Sequence, residues 1–317
     1  MISLPKNVIL YVKGLICVFE NANCSSLARV VNCFYDNLAR ILKERKLAWQ
    51  ILLASSVLRI FGKLREGYLI IDDTVVSKTF AKKIENLSWV YCSKIGKVIQ
   101  GLDIAMLAWS DGKMTLPLAI KVYQKGSGKT KIDLALELLE YADFLDLKPK
   151  YVTFDCWCAA DKILRKIEKL GWIFITQIKK NRKINGVQAR HLFPNPYWIS
   201  QGKLSEGLEV KVVKHGKNYF VANDLSLSKK EILTLYKGRW LIETVFRVLH
   251  SKLGLDQCQA ISLQAQTAHF HLCLLTFLCL EKERTAGQKT IYRVKQECSF
   301  DFQKADYIVS PLFFQGA

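Results

Sequence analysis

The sequence is short of negative charge. Lys and Arg number 47 against 28 Asp and Glu, leaving a formal net charge of +19 and a pI near 9.5. An enzyme of small neutral metabolites has no use for such an excess. A dense polyanion does, because each Lys or Arg set against a phosphate releases condensed counterions. Histidine is scarce, at five residues, and the ten cysteines include no CxxC pair, which excludes the common zinc-site spacings. The N-terminal stretch MISLPKNVILYVKGLICVFE lacks a small-residue cleavage pattern and is broken by Lys13, so no secretory leader is expected. Long apolar runs are missing too: the longest, Leu272 to Leu280, is too short to cross a bilayer. There are no internal repeats and no low-complexity tract. These absences point to a globular, cytoplasmic protein with no membrane partner. Its thiols, such as Cys17, Cys33, Cys273, Cys279 and the pair Cys156 and Cys158, are expected to be reduced and packed. Nucleic acid is the expected partner.

What is present divides into four segments. Residues 1–66 read as a small helical DNA-binding domain. Leu27, Val30, Val31, Phe34, Leu38, Ile41 and Leu42 recur at helical spacing behind a cap at Ser25 or Ser26. Here ten Lys/Arg stand against four Asp/Glu, and Arg29, Arg40, Lys43, Arg45 and Lys46 offer a basic face. From Tyr68 the pattern is β-β-β-α-β-α-β: YLIIDD, QGLDIAMLAW, LPLAIKVYQ, KTKIDLALELLEYADFL, YVTFD, CAADKILRKIEKLG and WIFITQI. That order implies an α/β mixed sheet with helices on its faces over residues 67–179. Residues 180–224 are polar, basic and turn-rich, with a hairpin around His215-Gly216, and read as a β-rich insertion. Residues 225–317 resume with a long amphipathic helix over 229–253 and another over 264–283. The tail from Ser299 onward reads as irregular.

Three acids carry the candidate chemistry. Asp73 and Asp155 each end a strand, where an open α/β sheet exposes its functional groups. Asp72 rivals Asp73, since neighbours on a strand face opposite ways. The helix supplies Glu243, with Tyr236, Arg239 and His250 at steps that keep all four on one face. A phenol, a guanidinium, an acid and an imidazole on one stripe is not a packing face. Carboxylates gathered from two strand ends and a helix would repel unless they held hard cations such as Mg²⁺ or Mn²⁺. Tyr236 and Arg239 suit phosphate oxygens. Lys179, Lys180, Arg182 and Lys183 add a basic run for backbone contacts. Trp198 is a candidate for stacking on an unpaired base. Trp240 reads as helix packing, and His269 and His271 as buried, satisfied histidines.

YKGRWLIETVFRVLHSKLGL resembles the signature helix of DDE insertion-sequence transposases of the Tyr-Arg-Glu-Lys branch, with Tyr236, Arg239 and Glu243 in place and His250 where that branch has Lys. IDDT with Lys78, VTFDCWCA and KKNRK resemble further blocks of the family in the same order over about residues 67 to 285. In the first block Asp is directly followed by Thr, and this favours Asp73. The resemblance implies a ribonuclease-H-like core with a β-rich insertion and a metal site of Asp73, Asp155 and Glu243 holding two Mg²⁺ ions, with Mn²⁺ as a substitute. It also implies a homodimer on double-stranded DNA ends, cutting at terminal inverted repeats and joining the ends to target DNA. Two other readings stand beside it: a DNA-binding relic without activity, and a ribonuclease-H-like nuclease that cuts without joining.

Overall fold

The structure is a computed structural model, and it describes residues 4–19, 21–93, 95–192 and 195–312. Four helices come first: α1 (Lys6–Cys17), α2 (Cys24–Val30), α3 (Tyr35–Leu42) and α4 (Trp49–Phe61). The expected helical stripe is cut in two. Asn32 takes a left-handed turn (φ 49°) between α2 and α3, and Phe34, expected in the stripe, is 83% exposed. The cap of α2 is Asn23, whose side chain accepts from the Ser26 amide, rather than Ser25 or Ser26. Arg29, Arg40, Lys43, Arg45 and Lys46 are exposed as expected.

The sheet is built next. Its first strands are β1 (Tyr68–Ser77), β2 (Ser88–Cys92), β3 (Lys97–Ser110) and β4 (Thr115–Val122). Then follow α5 (Lys131–Phe144), β5 (Val152–Phe154), α6 (Asp161–Lys169) and β6 (Phe174–Ile178). The order matches the sequence pattern with one strand added, β2, which is too short and too exposed to announce itself by apolar alternation. Helix α5 starts on a capping box in which Thr130 and Asp133 satisfy each other's amides.

Residues 180–224 are β-rich with the expected hairpin at His215-Gly216, but they join the main sheet. A small ribbon of β7 (Lys183–Ile184) and β8 (Val187–Gln188) leads through the one-turn helix α7 (Ala189–Leu192) to β9 (Tyr197–Lys203), β10 (Glu209–His215) and β11 (Asn218–Ala222). The last three do not form a separate β unit. They extend the main sheet, whose order is β2-β3-β1-β5-β6-β11-β10-β9, with β4 on β3. The link is β11, which pairs antiparallel with β6 from Tyr219↔Ile178 to Ala222↔Ile175. Buried residues on both strands, Val221, Ala222, Ile175 and Phe174 among them, make that joint part of the core.

The expected helix over 229–253 is interrupted. It runs as α8 (Lys229–Lys237), a 3-10 turn at Gly238–Trp240, and α9 (Leu241–Lys252). Gly238 is needed there because a Cβ would lie 2.5 Å from the Tyr68 hydroxyl. Helix α10 (Leu263–Gly287) follows, then α11 (Ile291–Phe300) and α12 (Phe302–Val309). The described part of the tail is therefore helical, not irregular. Lys295 on α11 is buried and donates to the Leu15, Ile16 and Val18 carbonyls at the end of α1, so it caps that helix. By length and composition α10 could cross a membrane, but 83% of its apolar window is buried inside the structure, as befits a core helix. Helices α1 to α4 share one buried cluster with α10 to α12 and the sheet.

Candidate active site

Strands β1 and β5 run parallel, paired from Leu69↔Val152 to Ile71↔Phe154. Beyond that last pair β5 stops while β1 continues. Asp72 and Asp155 are thus the next residue on each strand, side by side at the carboxyl end of a parallel pair, where open sheets place their sites. The Asp155 carboxylate accepts from the Cys156 amide at 2.6 Å, which orients it at the turn.

Successive strand residues project to opposite faces, and the two acids of the IDDT block part company. Asp72 is buried and forms an ion pair with the Arg239 guanidinium, carried by the turn between α8 and α9. The same guanidinium lies 3.6 Å from the Glu243 carboxylate, in the first turn of α9. Asp73 points elsewhere: it accepts from Lys131 Nζ at 2.6 Å at the start of α5, and Lys131 also reaches Asp103 at 2.7 Å. The motif had favoured Asp73. Arg239 links Asp72, rather than Asp73, to Glu243, while Asp73 is held by Lys131, which lies over the Trp157 ring beside Asp155.

Electrostatics follow the burial. The Asp72 carboxyl is pushed up to about 7 by burial, with Arg239 opposing and the Asp73 and Glu243 charges adding. Burial works against the Arg239 charge, but Asp72, Tyr236, Asp155 and Glu243 more than offset it. One cation thus serves the three carboxylates that face it. Among the described residues no three Asp, Glu, His or Cys side chains stand close enough to grip a single ion. Asp72, Asp155 and Glu243 nevertheless supply the hard oxygen donors that a divalent cation needs, and the guanidinium among them shows that positive charge is favoured there.

Tyr236 and His250 both have partners within the protein. Tyr236 is buried edge-on to Phe220, and its hydroxyl donates to Gln177 Oε1 at 3.3 Å. His250 has both ring nitrogens engaged, with Nδ1 2.6 Å from Asp256 Oδ2 and Nε2 2.9 Å from Thr74 Oγ1. A carboxylate only accepts, so Nδ1 carries a proton. The histidine ties α9 to β1 and to the loop that carries Asp256. The loop after α9 is held from the same strand. Asp256 also accepts from the Ser77 amide, and the buried Lys78 ammonium donates to the Asp256 and Cys258 carbonyls.

The basic run lines a cleft of about 450 Å³ beside Asp155, with Cys156, Trp157, Lys179, Arg182 and Lys183 on its walls. Lys179, Lys180 and Lys183 are exposed, while Arg182 is partly spent on Asp161. Trp198 is half exposed on β9, at the far edge of the sheet from β2. Trp240, expected to pack, is exposed instead, with the Arg239 guanidinium 5.5 Å from its ring centre. Cys158 and His269 are buried as expected, and both ring nitrogens of His269 are bonded; His271 is buried too, but its Nε2 has no hydrogen-bond partner among the described residues. Asp103 and Lys131 were missed from the sequence. An acid inside the apolar run GLDIAMLAW was a signal for Asp103, whereas nothing local marks Lys131.

A mixed sheet with carboxylates at the ends of two adjacent parallel strands and a third on a packed helix defines a ribonuclease-H-like fold of the transposase class. The chain matches the Transposase DDE domain family over residues 64–279, more than half its length, and it belongs to that family. No curated protein matches it significantly. Among solved structures, the piggyBac transposase in a synaptic complex with hairpin DNA superposes with a TM-score of 0.56 at 9% identity, over 98% of this chain and 71% of that one. The NurA nuclease from Sulfolobus solfataricus reaches a TM-score of 0.28 at 12% identity, over 73% of this chain and 97% of that one. The Mos1 transposase paired-end complex reaches 0.20 at 12% identity, over 54% and 59%. Only the first of these similarities is strong enough to bear on the fold.

Proposed function

We propose that this chain is the transposase of an insertion sequence of the Tyr-Arg-Glu-Lys branch, cutting DNA at terminal inverted repeats and joining the ends to target DNA. The observation that carries the reading is the meeting of Asp72, Asp155 and Glu243 around Arg239, at the open end of β1 and β5. Asp72 takes the role that the motif alone had given to Asp73. The three carboxylates would hold Mg²⁺, with Mn²⁺ as a substitute. Two such ions, when bound, activate the attacking hydroxyl and stabilise the leaving oxygen of a phosphodiester.

The protein's own groups do the positioning. The Asp155 turn and the β1 strand set two donors on a rigid sheet, and α9 sets the third. Arg239 is placed beside these carboxylates to bind phosphate oxygens with its planar fork. Lys179, Lys180 and Lys183 bind the backbone of the DNA end beside Asp155. Trp198 offers a ring to an unpaired base on the far edge. The chain acts as a homodimer on a pair of ends, in the cytoplasm.

The test uses the full chain, Mg²⁺ and a DNA carrying the element's own two ends. Cuts at the ends together with joined products are the expected result. Cutting without joining makes the protein a nuclease, and binding without cutting makes it a relic; either overturns the proposal.

A further inference from the structure

The hairpin of β2 and β3 projects past the end of β1. The last β1–β3 pair is Ser77↔Gly101, and from Gln100 back to Lys97 strand β3 pairs only with β2. β2 is the outermost strand at this end of the sheet. Its outward face is aromatic: Trp89 is 71% exposed, Tyr91 64%, and Val98, across from Tyr91, 57%. Neither ring stacks on another aromatic among the described residues. Phe80, before the hairpin, is more exposed still.

The hairpin is not a loose flap. Its root is held by the buried Lys78 and by Glu85, whose amide donates to the Ile261 carbonyl and whose carboxylate accepts from the Leu263 amide. Asn86 donates to the Tyr123 carbonyl at 2.8 Å. A rigid root that presents exposed rings is a platform, since leaving Trp and Tyr in water has no stabilising effect on the fold.

Charge chooses the occupant. Between Thr79 and Ile99 lie Lys82, Lys83, Lys94 and Lys97, and the only acid is Glu85, already used as a helix cap. A second copy would bring the same positive hairpin and be repelled. A nucleic-acid strand would be attracted, and aromatic rings among lysines are the means by which proteins hold unpaired bases. Rings two residues apart on a strand are about 6.7 Å apart along it. That is roughly twice the ~3.4 Å rise per nucleotide in a duplex, so each ring suits one base of an opened strand. The first ring, on Trp89, lies one step beyond the end of β1, about 20 Å along the strand direction from Asp72, roughly six nucleotides at duplex rise.

We propose that Trp89 and Tyr91 form a stacking platform for unpaired bases of DNA whose backbone passes the Asp72–Asp155–Glu243 site. The proposal rests on the DNA-processing reading above. The test measures binding of the full chain, at fixed salt, to a blunt duplex and to the same duplex with a single-stranded thymidine tail. The parent should prefer the tailed DNA. The Trp89→Ala/Tyr91→Ala protein should lose about 30-fold or more on the tailed DNA and keep its affinity for the blunt duplex. Trp89→Phe should retain most of the preference, because its ring remains. Equal binding of both DNAs by the parent, or an equal loss on both in the variant, overturns the platform. Failure of the parent to bind even the blunt duplex overturns the DNA reading instead. A parent dimer without DNA that the double variant dissolves would make the face a protein interface and also overturn the proposal.

Discussion

Asp72 on β1 and Arg239 in the turn between α8 and α9 form a buried ion pair, and this pair joins the sheet to the signature helix. Glu243 lies 3.6 Å from the same guanidinium. The relationship ranks the two neighbouring acids and locates the site's positive charge.

The ranking of the acids can be measured directly. Asp72→Asn should lower Mg²⁺-dependent cleavage by more than about 100-fold, the loss that can follow even from an outer partner of a metal ligand. Asp73→Asn should retain most of the activity, because its side chain serves Lys131 on the other side of the strand. Comparable losses in both proteins would remove the distinction drawn from the geometry.

Arg239 has a stability role separable from its part in DNA binding. Arg239→Met strands a buried carboxylate and should cost about 3 kcal/mol in chemical denaturation. Adding Asp72→Asn should restore more than half of that, since no charge is then left unpaired. A double variant as unstable as the single one would show that the pair does not support the fold.

His250→Ala should cost about 2 kcal/mol, because it leaves the Thr74 hydroxyl without its partner and the Asp256 carboxylate with only the Ser77 amide. Affinity for blunt duplex should scarcely change. A large loss of DNA affinity without a change in the denaturation midpoint would restore the phosphate contact suggested by the signature.

Acid should weaken the protein through α10. Burial pushes the His269 and His271 imidazoles down to about 4, from an ordinary value of 6.5. The native state thus refuses protons that the unfolded state accepts. The stabilising effect is complete above pH 6.5 and is lost as the pH falls towards 4. Each histidine contributes on the order of 3 kcal/mol across that window. Thermal midpoints measured between pH 7 and pH 5 should fall, and the fall should be shallower in His271→Leu. Equal slopes in the two proteins would mean that His271 is already solvated in the native state.

By itself the sequence determined the basic character, the strand–helix order from Tyr68 to Ile178 apart from β2, and the placing of Tyr236, Arg239 and Glu243 on successive helical turns. These depend on composition, on residue period or on contacts a few residues apart. Other features were decided only by the tertiary structure. Which of Asp72 and Asp73 meets Glu243 depends on which face of β1 the signature helix packs against. That β9 to β11 extend the main sheet depends on β11 finding the free edge of β6. That His250 is a tether depends on Asp256 and Thr74 arriving from a loop and a strand. In each case the partner is distant in sequence or its facing is set by packing, so no local pattern of residues could reveal it.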